Sequence, residues 1–277
     1  VHGRFLSASS GTSYDRSVRT SKMSVHCFCV VGRKGAMGQS LEKTLNRMNE
    51  TTTESGCGAE RQIKSRERVS RHGEVFTNPR EVNAMLDLVG HETERPDSRF
   101  LEPACGNGNF LVAILERKLS VVAARHHLRS EYELNTIIAV SSLYGIELLE
   151  DNVEECRERL YGIVRRHHGT RYEAGDECEF LRSVRYVIRR NIVCGDALTM
   201  MSPDGRRPVS FAEWSCIGDG KIKRRDFTLD MLLKNQPMEE PNLFSDLGDE
   251  AFIPTPFREF PPTHYLIIYT QDDTEEL

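Results

Sequence analysis

The chain has 277 residues, with 37 Lys and Arg against 42 Asp and Glu, a formal net charge of −5 and a hydrophobic fraction of 38%. No run of about 18 apolar residues occurs, which excludes a membrane-crossing helix. No short period recurs, which argues against a solenoid or propeller, and the length suits one or two domains.

Charge is spread unevenly: residues 1–70 carry net +6, residues 71–238 net −2 and residues 239–277 net −9. The overall sign therefore says little about a polyanionic partner. Cys27, Cys29, Cys57, Cys105, Cys156, Cys178, Cys194 and Cys216 form no CxxC pair. Scattered thiols in a chain long enough for a core point to a reducing compartment, so a cytoplasmic location is expected and a four-thiolate zinc site is not.

Residues 1–60 are rich in Ser, Thr, Gly and Arg. They are expected to form a disordered basic leader, or translated sequence upstream of a start at Met23, Met37 or Met48. Asp15 is the one acid in the first 40 residues, so an organelle transit peptide is the alternative. The basic stretch Glu60–Arg71 is predicted helical, with Arg61, Lys64, Arg68 and Arg71 either on a solvated face or touching phosphate.

Regular structure follows in residues 61–238. The spacing predicts a helix over Asn78–Val89, with Pro79 in its first turn and Gly90 as its stop. Arg99–Glu102 is a predicted strand and Asn109–Leu119 a predicted helix. Next come a helix over Glu131–Ser142, a strand over Leu143–Leu148 and an amphipathic helix over Asp151–His168. Asn191–Gly195 is a predicted strand ending at Asp196, and Asp226–Leu233 a further one. His126-His127 and His167-His168 are expected at helix ends on the surface, and Trp214 is expected to pack within an insertion, Met200–Lys223. Strand, glycine loop and helix in alternation indicate an α/β fold with an open, mostly parallel sheet and helices on both faces.

The element carrying chemistry is Phe100-Leu101-Glu102-Pro103-Ala104-Cys105-Gly106-Asn107-Gly108-Asn109-Phe110-Leu111. Glycines between a strand end and a helix start let backbone N–H groups approach a ligand. A dinucleotide fingerprint would place a third glycine where Leu111 stands, and would avoid a carboxylate beside the pyrophosphate, where Glu102 stands. A carboxylate there suits a ligand with a cationic amine. Glu147 ends the next strand, where an acid can accept from both hydroxyls of a ribose, and Asp196-Ala197 closes the third, where an acid can accept from an adenine amine. An amine, a ribose and an adenine together describe S-adenosylmethionine better than NAD.

These residues resemble the adenine-specific (N6) DNA methyltransferases of restriction–modification systems. Glu102-Pro103-Ala104-Cys105-Gly106-Asn107-Gly108-Asn109-Phe110-Leu111 is close to their Asp-Pro-Ala-Cys-Gly-Ser-Gly-Asn-Phe-Leu signature. His72-Gly73-Glu74-Val75-Phe76-Thr77-Asn78-Pro79 resembles their N-terminal cofactor motif, with Asn78 inserted before Pro79. The resemblance covers about residues 66–238. It implies a Rossmann-like fold, S-adenosylmethionine as cofactor, and binding through Phe76, Thr77, Glu102, Ala104, Cys105, Gly106, Gly108, Glu147, Asp196 and Ala197. It also implies DNA as substrate and methyl transfer to a flipped adenine without a metal.

The family's Asn-Pro-Pro-Tyr or Asn-Pro-Pro-Phe loop has no intact copy. The best match is Asn235-Gln236-Pro237-Met238, with Gln236 for the first proline and Met238 for the aromatic. Gln236 keeps a carbonyl but loses the fixed φ, and Met238 stacks poorly on a base. Two readings follow: an active enzyme using Asn235, Gln236 and Pro237, or a catalytically silent module that binds cofactor or partner subunits. A nicotinamide oxidoreductase is a third reading, which Glu102 and Leu111 oppose. Residues 239–277 form an acidic extension that would repel phosphate, so DNA specificity is expected from a separate target-recognition or restriction subunit.

Overall fold

The computed structural model describes residues 25–27, 64–65, 67–68, 70, 74–172, 178–233 and 254–272. Asn235, Gln236 and Pro237 lie outside the described residues, as does most of the stretch 1–60. Among the described residues no helix is long and apolar enough to cross a membrane.

The first sheet is fully parallel, in spatial order β1 (Val25–Cys27), β2 (Arg99–Glu102), β3 (Leu143–Glu147) and β4 (Ile192–Cys194). Glu102 pairs with Gly145, and Glu147 with Cys194. Parallel neighbours need crossovers, and here these are helical. Helices α1 (Pro79–Asp87) and the one-turn α2 (Gly90–Thr93) precede β2. Helices α3 (Asn109–Arg125) and α4 (Arg129–Ser141) join β2 to β3. Helices α5 (Glu150–Gly169) and α6 (Glu179–Asn191) join β3 to β4.

Local chemistry explains these boundaries. Asn78, the residue inserted before Pro79, is the cap of α1: its side-chain oxygen accepts from the Arg80 amide at 2.9 Å. Gly108 at φ +88° starts α3 in a conformation other residues avoid. Helix α5 carries Glu150 and Asp151 in its first turn and Arg166, His167 and His168 in its last, matching the helix dipole.

Alternation along the strands divides the interior. Phe100, Leu143 and Ile192 pack with Leu111, Ile114, Leu115, Val153, Leu160, Val184 and Ile188 of the long helices. Tyr144 and Ile146, on the opposite face, pack with Val209, Phe211 and Leu229. The second face is thus covered, among the described residues, by part of a hairpin and one short helix rather than by a layer of long helices.

That hairpin differs from expectation. Residues read as an insertion form β5 (Ser210–Gly218), antiparallel to β6 (Lys221–Thr228). The short strands β7 (Arg258–Glu259) and β8 (Thr263–His264) also pair with β6. The strand expected over Asp226–Leu233 stops at Thr228, and Leu229–Leu233 is helical (α7). The Thr228 hydroxyl accepts from the Met231 amide at 3.3 Å, turning the chain. Leu229 and Leu232 then meet the second core cluster. Arg224 is 1% exposed. It pairs twice with Asp226 (2.8 and 2.6 Å) and once with Asp272 (2.9 Å), and its guanidinium lies 4.1 Å from the Phe260 ring centroid. Burial of a charge is tolerable only with such partners.

Two smaller expectations are settled by packing. Trp214 is buried and donates to Asn191 at 3.0 Å. His168, expected on the surface, is buried instead: its Nε2 lies 2.9 Å from Glu133, which also accepts from Arg129 and Tyr265.

Candidate functional site

The candidate site, termed the crevice, is the set of residues at the carboxyl ends of the neighbouring strands β2, β3 and β4. Glu102 and Glu147 are staggered by two residues on neighbouring strands, so both side chains leave the same face of the sheet. Asp196 follows two residues beyond Cys194, in the turn after β4.

Each acid has a different environment. Glu102 has no hydrogen-bond or ion-pair partner among the described residues, and burial alone pushes its carboxyl up to about 8. Glu147 is held on both oxygens. One accepts from the Gly106 amide at 2.9 Å, the other from the Leu149 amide at 3.0 Å and Asn152 at 3.5 Å. Each carboxylate oxygen has two lone pairs, so the oxygen that takes only the Gly106 amide keeps one for a ligand hydroxyl. Asp196 accepts from the Leu198 amide at 2.8 Å, which leaves its second oxygen for a ligand donor. Ala197 packs at the edge of the second core cluster, and Ala104 is exposed at the start of the loop.

The glycine loop is a cradle without spare room. Gly106 has φ +52°, and a Cβ there would meet the Phe76 ring at 3.2 Å. A Cβ on Gly108 would lie 2.5 Å from the Cys156 sulfur. The Cys105 amide donates to the Ile146 carbonyl at 2.9 Å, which carries the β2–β3 ladder into the loop. The Cys105 side chain is buried. The neighbouring Cys156 thiol, and then burial, push its thiol well above the usual range, which suits packing and not nucleophilic attack. The Thr77 carbonyl accepts from Asn109 at 2.9 Å. Phe76 and Thr77 are thereby joined to the loop they were expected to serve.

The structure revises the reading of the basic stretch. Lys64 pairs with Glu155 at 2.6 Å, and Arg68 pairs with Asp151 at 2.7 Å and with Glu74. Lys64 and Arg68 are thus engaged by acids of this chain, while Arg61 and Arg71 lie outside the described residues. Sequence reasoning also missed Asn152, a fully buried polar residue behind Glu147. An amide one turn after a strand-end acid was the available signal. Among the described residues no group of three His, Cys, Asp or Glu side chains is arranged to hold a metal ion. Chemically, the site offers a half-buried carboxylate that has no partner among the described residues, a carboxylate fixed by backbone amides, and a glycine loop with room only for close approach.

No family model matches the chain. It is similar to Type II methyltransferase M.BstVI of Geobacillus stearothermophilus, 24% identical over 190 residues, which is 67% of this chain and 30% of that protein. It is also similar to Type II methyltransferase M.PaeR7I of Pseudomonas aeruginosa, 42% identical over 50 residues, which is 17% of this chain and 9% of that protein. The match thus spans under a third of the first relative's length. No solved structure matches. The chain therefore combines a parallel α/β sheet and a glycine-lined crevice with sequence similarity to two Type II methyltransferases.

Proposed function

We propose that this chain is the cofactor-binding part of an S-adenosylmethionine-dependent DNA methyltransferase of restriction–modification type, Rossmann-like in fold and directed at adenine N6. The carrying observation is Glu102: a largely buried carboxylate with no partner among the described residues, beside a glycine cradle whose first glycine is tied to Glu147. A dinucleotide's pyrophosphate would be repelled there. The similarity to two Type II methyltransferases supports the same reading.

S-adenosylmethionine, when bound, supplies an electrophilic methyl group on sulfur. This chain's residues bind and orient it. Glu102 holds the ammonium group, Glu147 the ribose hydroxyls and Asp196 the adenine amine, while the loop around Gly106 and Gly108 approaches by its backbone. On the acceptor side, the Asn235 side chain and the Gln236 carbonyl would accept from the N6 amine of an adenine flipped out of DNA and so orient it.

A second reading, a silent methyltransferase-like module that binds cofactor or a partner subunit, is favoured by Gln236 and Met238 at positions where the resembled family has proline and an aromatic. Calorimetric titration with S-adenosylmethionine and with NAD tests the shared part of both. Binding of the first but not the second is expected, with loss on Glu147→Ala, and NAD binding alone overturns both readings. Methyladenine measured by mass spectrometry on adenine-rich DNA, with and without Asn235→Ala, then separates enzyme from silent module.

A further inference from the structure

Asn152 is fully buried, in the first turn of α5. A buried amide is costly unless its donors and acceptor are met, and here they are met from three directions. Its oxygen accepts from Lys64 at 2.6 Å. Its nitrogen donates to Glu74 at 2.7 Å and reaches Glu147 at 3.5 Å. Lys64 and Glu74 belong to the segment before α1, while Glu147 ends β3.

The same segment is clamped at both ends. Arg68 makes a two-pronged pair with Glu74 and a second one with Asp151 (2.7 and 3.1 Å). Lys64 holds Glu155, whose other oxygen accepts from Asn107 of the glycine loop at 2.9 Å. Two routes thus run from this clasp to the crevice: through Asn152 to Glu147, and through Glu155 to the loop. Phe76, just beyond the clasp, lies against Gly106.

We propose that Asn152 is a positioning residue for Glu147, and that the ion pairs of Lys64 and Arg68 act through it to set how tightly the ribose diol of the nucleoside is held. This rests on the reading of Glu147 as the diol acceptor. Asn152 touches no ligand itself. It limits the rotation of the Glu147 carboxylate, and the clasp limits the movement of Asn152. Half-exposed ion pairs are screened by salt, so the nucleoside affinity inherits a salt dependence even where the ligand's own charge plays no part.

The test compares adenosine with 2′,3′-dideoxyadenosine, together with S-adenosylmethionine, on the full chain. The wild type is expected to prefer adenosine, and Asn152→Ser to lose most of that preference. For S-adenosylmethionine the loss is expected to be about tenfold in Asn152→Ser, and close to nothing further when Glu147→Gln is already present. Arg68→Gln, which alters a partly exposed side chain, is expected to reduce the preference partially. It should also flatten the weakening of adenosine binding seen between about 0.05 and about 0.5 M salt. The preference is a ratio within one variant, so a partly unfolded sample does not mimic it, and thermal melts report folding separately. Equal losses for both nucleosides, or full additivity with Glu147→Gln, overturn the positioning role while the cofactor reading stands. A wild type that binds no S-adenosylmethionine overturns the cofactor reading itself.

Discussion

The Gly106 amide donates to the Glu147 carboxylate at 2.9 Å, across 41 residues of sequence. The glycine loop after β2 and the acid ending β3 are therefore one unit. Glu147 also accepts from the Leu149 amide, so it ties together two backbone turns at the mouth of the crevice. Glu147→Ala leaves both amides without their acceptor and is expected to cost about 1–3 kcal/mol of stability. Denaturant melts measure this, and calorimetry on the same variant is expected to show loss of S-adenosylmethionine binding.

Glu102 predicts a pH dependence of definite sign. Its carboxyl is raised in the fold from 4.5 to about 8 by burial. A raised value means the fold prefers the protonated form. Its contribution to stability is thus full below the unfolded value and is lost as pH rises toward 8. Glu102→Gln is expected to stabilise the ligand-free protein at about pH 8 and to change little at about pH 4.5, read by thermal melts. Binding of a ligand ammonium requires the ionised form, so wild-type affinity should rise from about pH 6 to about pH 8 with release of a proton. Calorimetry in buffers of different ionisation heat detects that proton, and Glu102→Gln should abolish it.

Lys118 predicts the opposite slope. It is fully buried on α3 and is lowered from 10.5 to about 7, chiefly by desolvation. Its amino group donates to the carbonyls of Pro96 (3.2 Å) and Ser98 and to the Ser142 hydroxyl, tying α3 to the segments that lead into β2 and β3. A depressed lysine contributes fully above its unfolded value and loses that contribution as pH falls toward 7. Wild-type stability should therefore climb between about pH 7 and about pH 10. Lys118→Met is expected to remove this term and to cost about 1–3 kcal/mol at high pH, where the neutral amine's two N–H donors are lost to the buried acceptors around it. Urea melts across the range check both.

Gly108 sits at φ +88° with the Cys156 sulfur 2.5 Å from where a Cβ would be. Gly108→Ala is expected to destabilise by about 2–4 kcal/mol through combined strain and overlap. Cys156→Ala in the same chain should restore only part, since it relieves the overlap and not the φ. Gly90→Ala, where nothing lies within 4 Å of the new atom, is the control and should stay within about 0.5 kcal/mol.

Much of the crevice was legible because its signals are local. A strand that ends in a carboxylate, two glycines and a helix start are read from a dozen consecutive residues, and β2, β3 and β4 stand where alternation and turn chemistry put them. Helix α6 was missed, although Phe180, Leu181, Val184, Val187 and Ile188 share one face, because its four arginines resemble a solvated surface. The β5–β6 hairpin was hidden for a physical reason. Arg224 stands at a core position, and a charge there makes sense only when Asp226, Asp272 and Phe260 surround it.

The sequence alone determined strands β2, β3 and β4, helices α1, α3, α4 and α5, the place of the glycine loop and the acids at successive strand ends, because backbone propensity and periodicity act over a few residues. Tertiary structure alone decided which charges are free and which are engaged. Lys64 and Arg68 look like phosphate ligands until α5 brings Asp151 and Glu155 to them, and His168 looks exposed until α4 brings Glu133. Electrostatic partners meet through space, and chain order does not encode the distance between side chains that lie tens of residues apart.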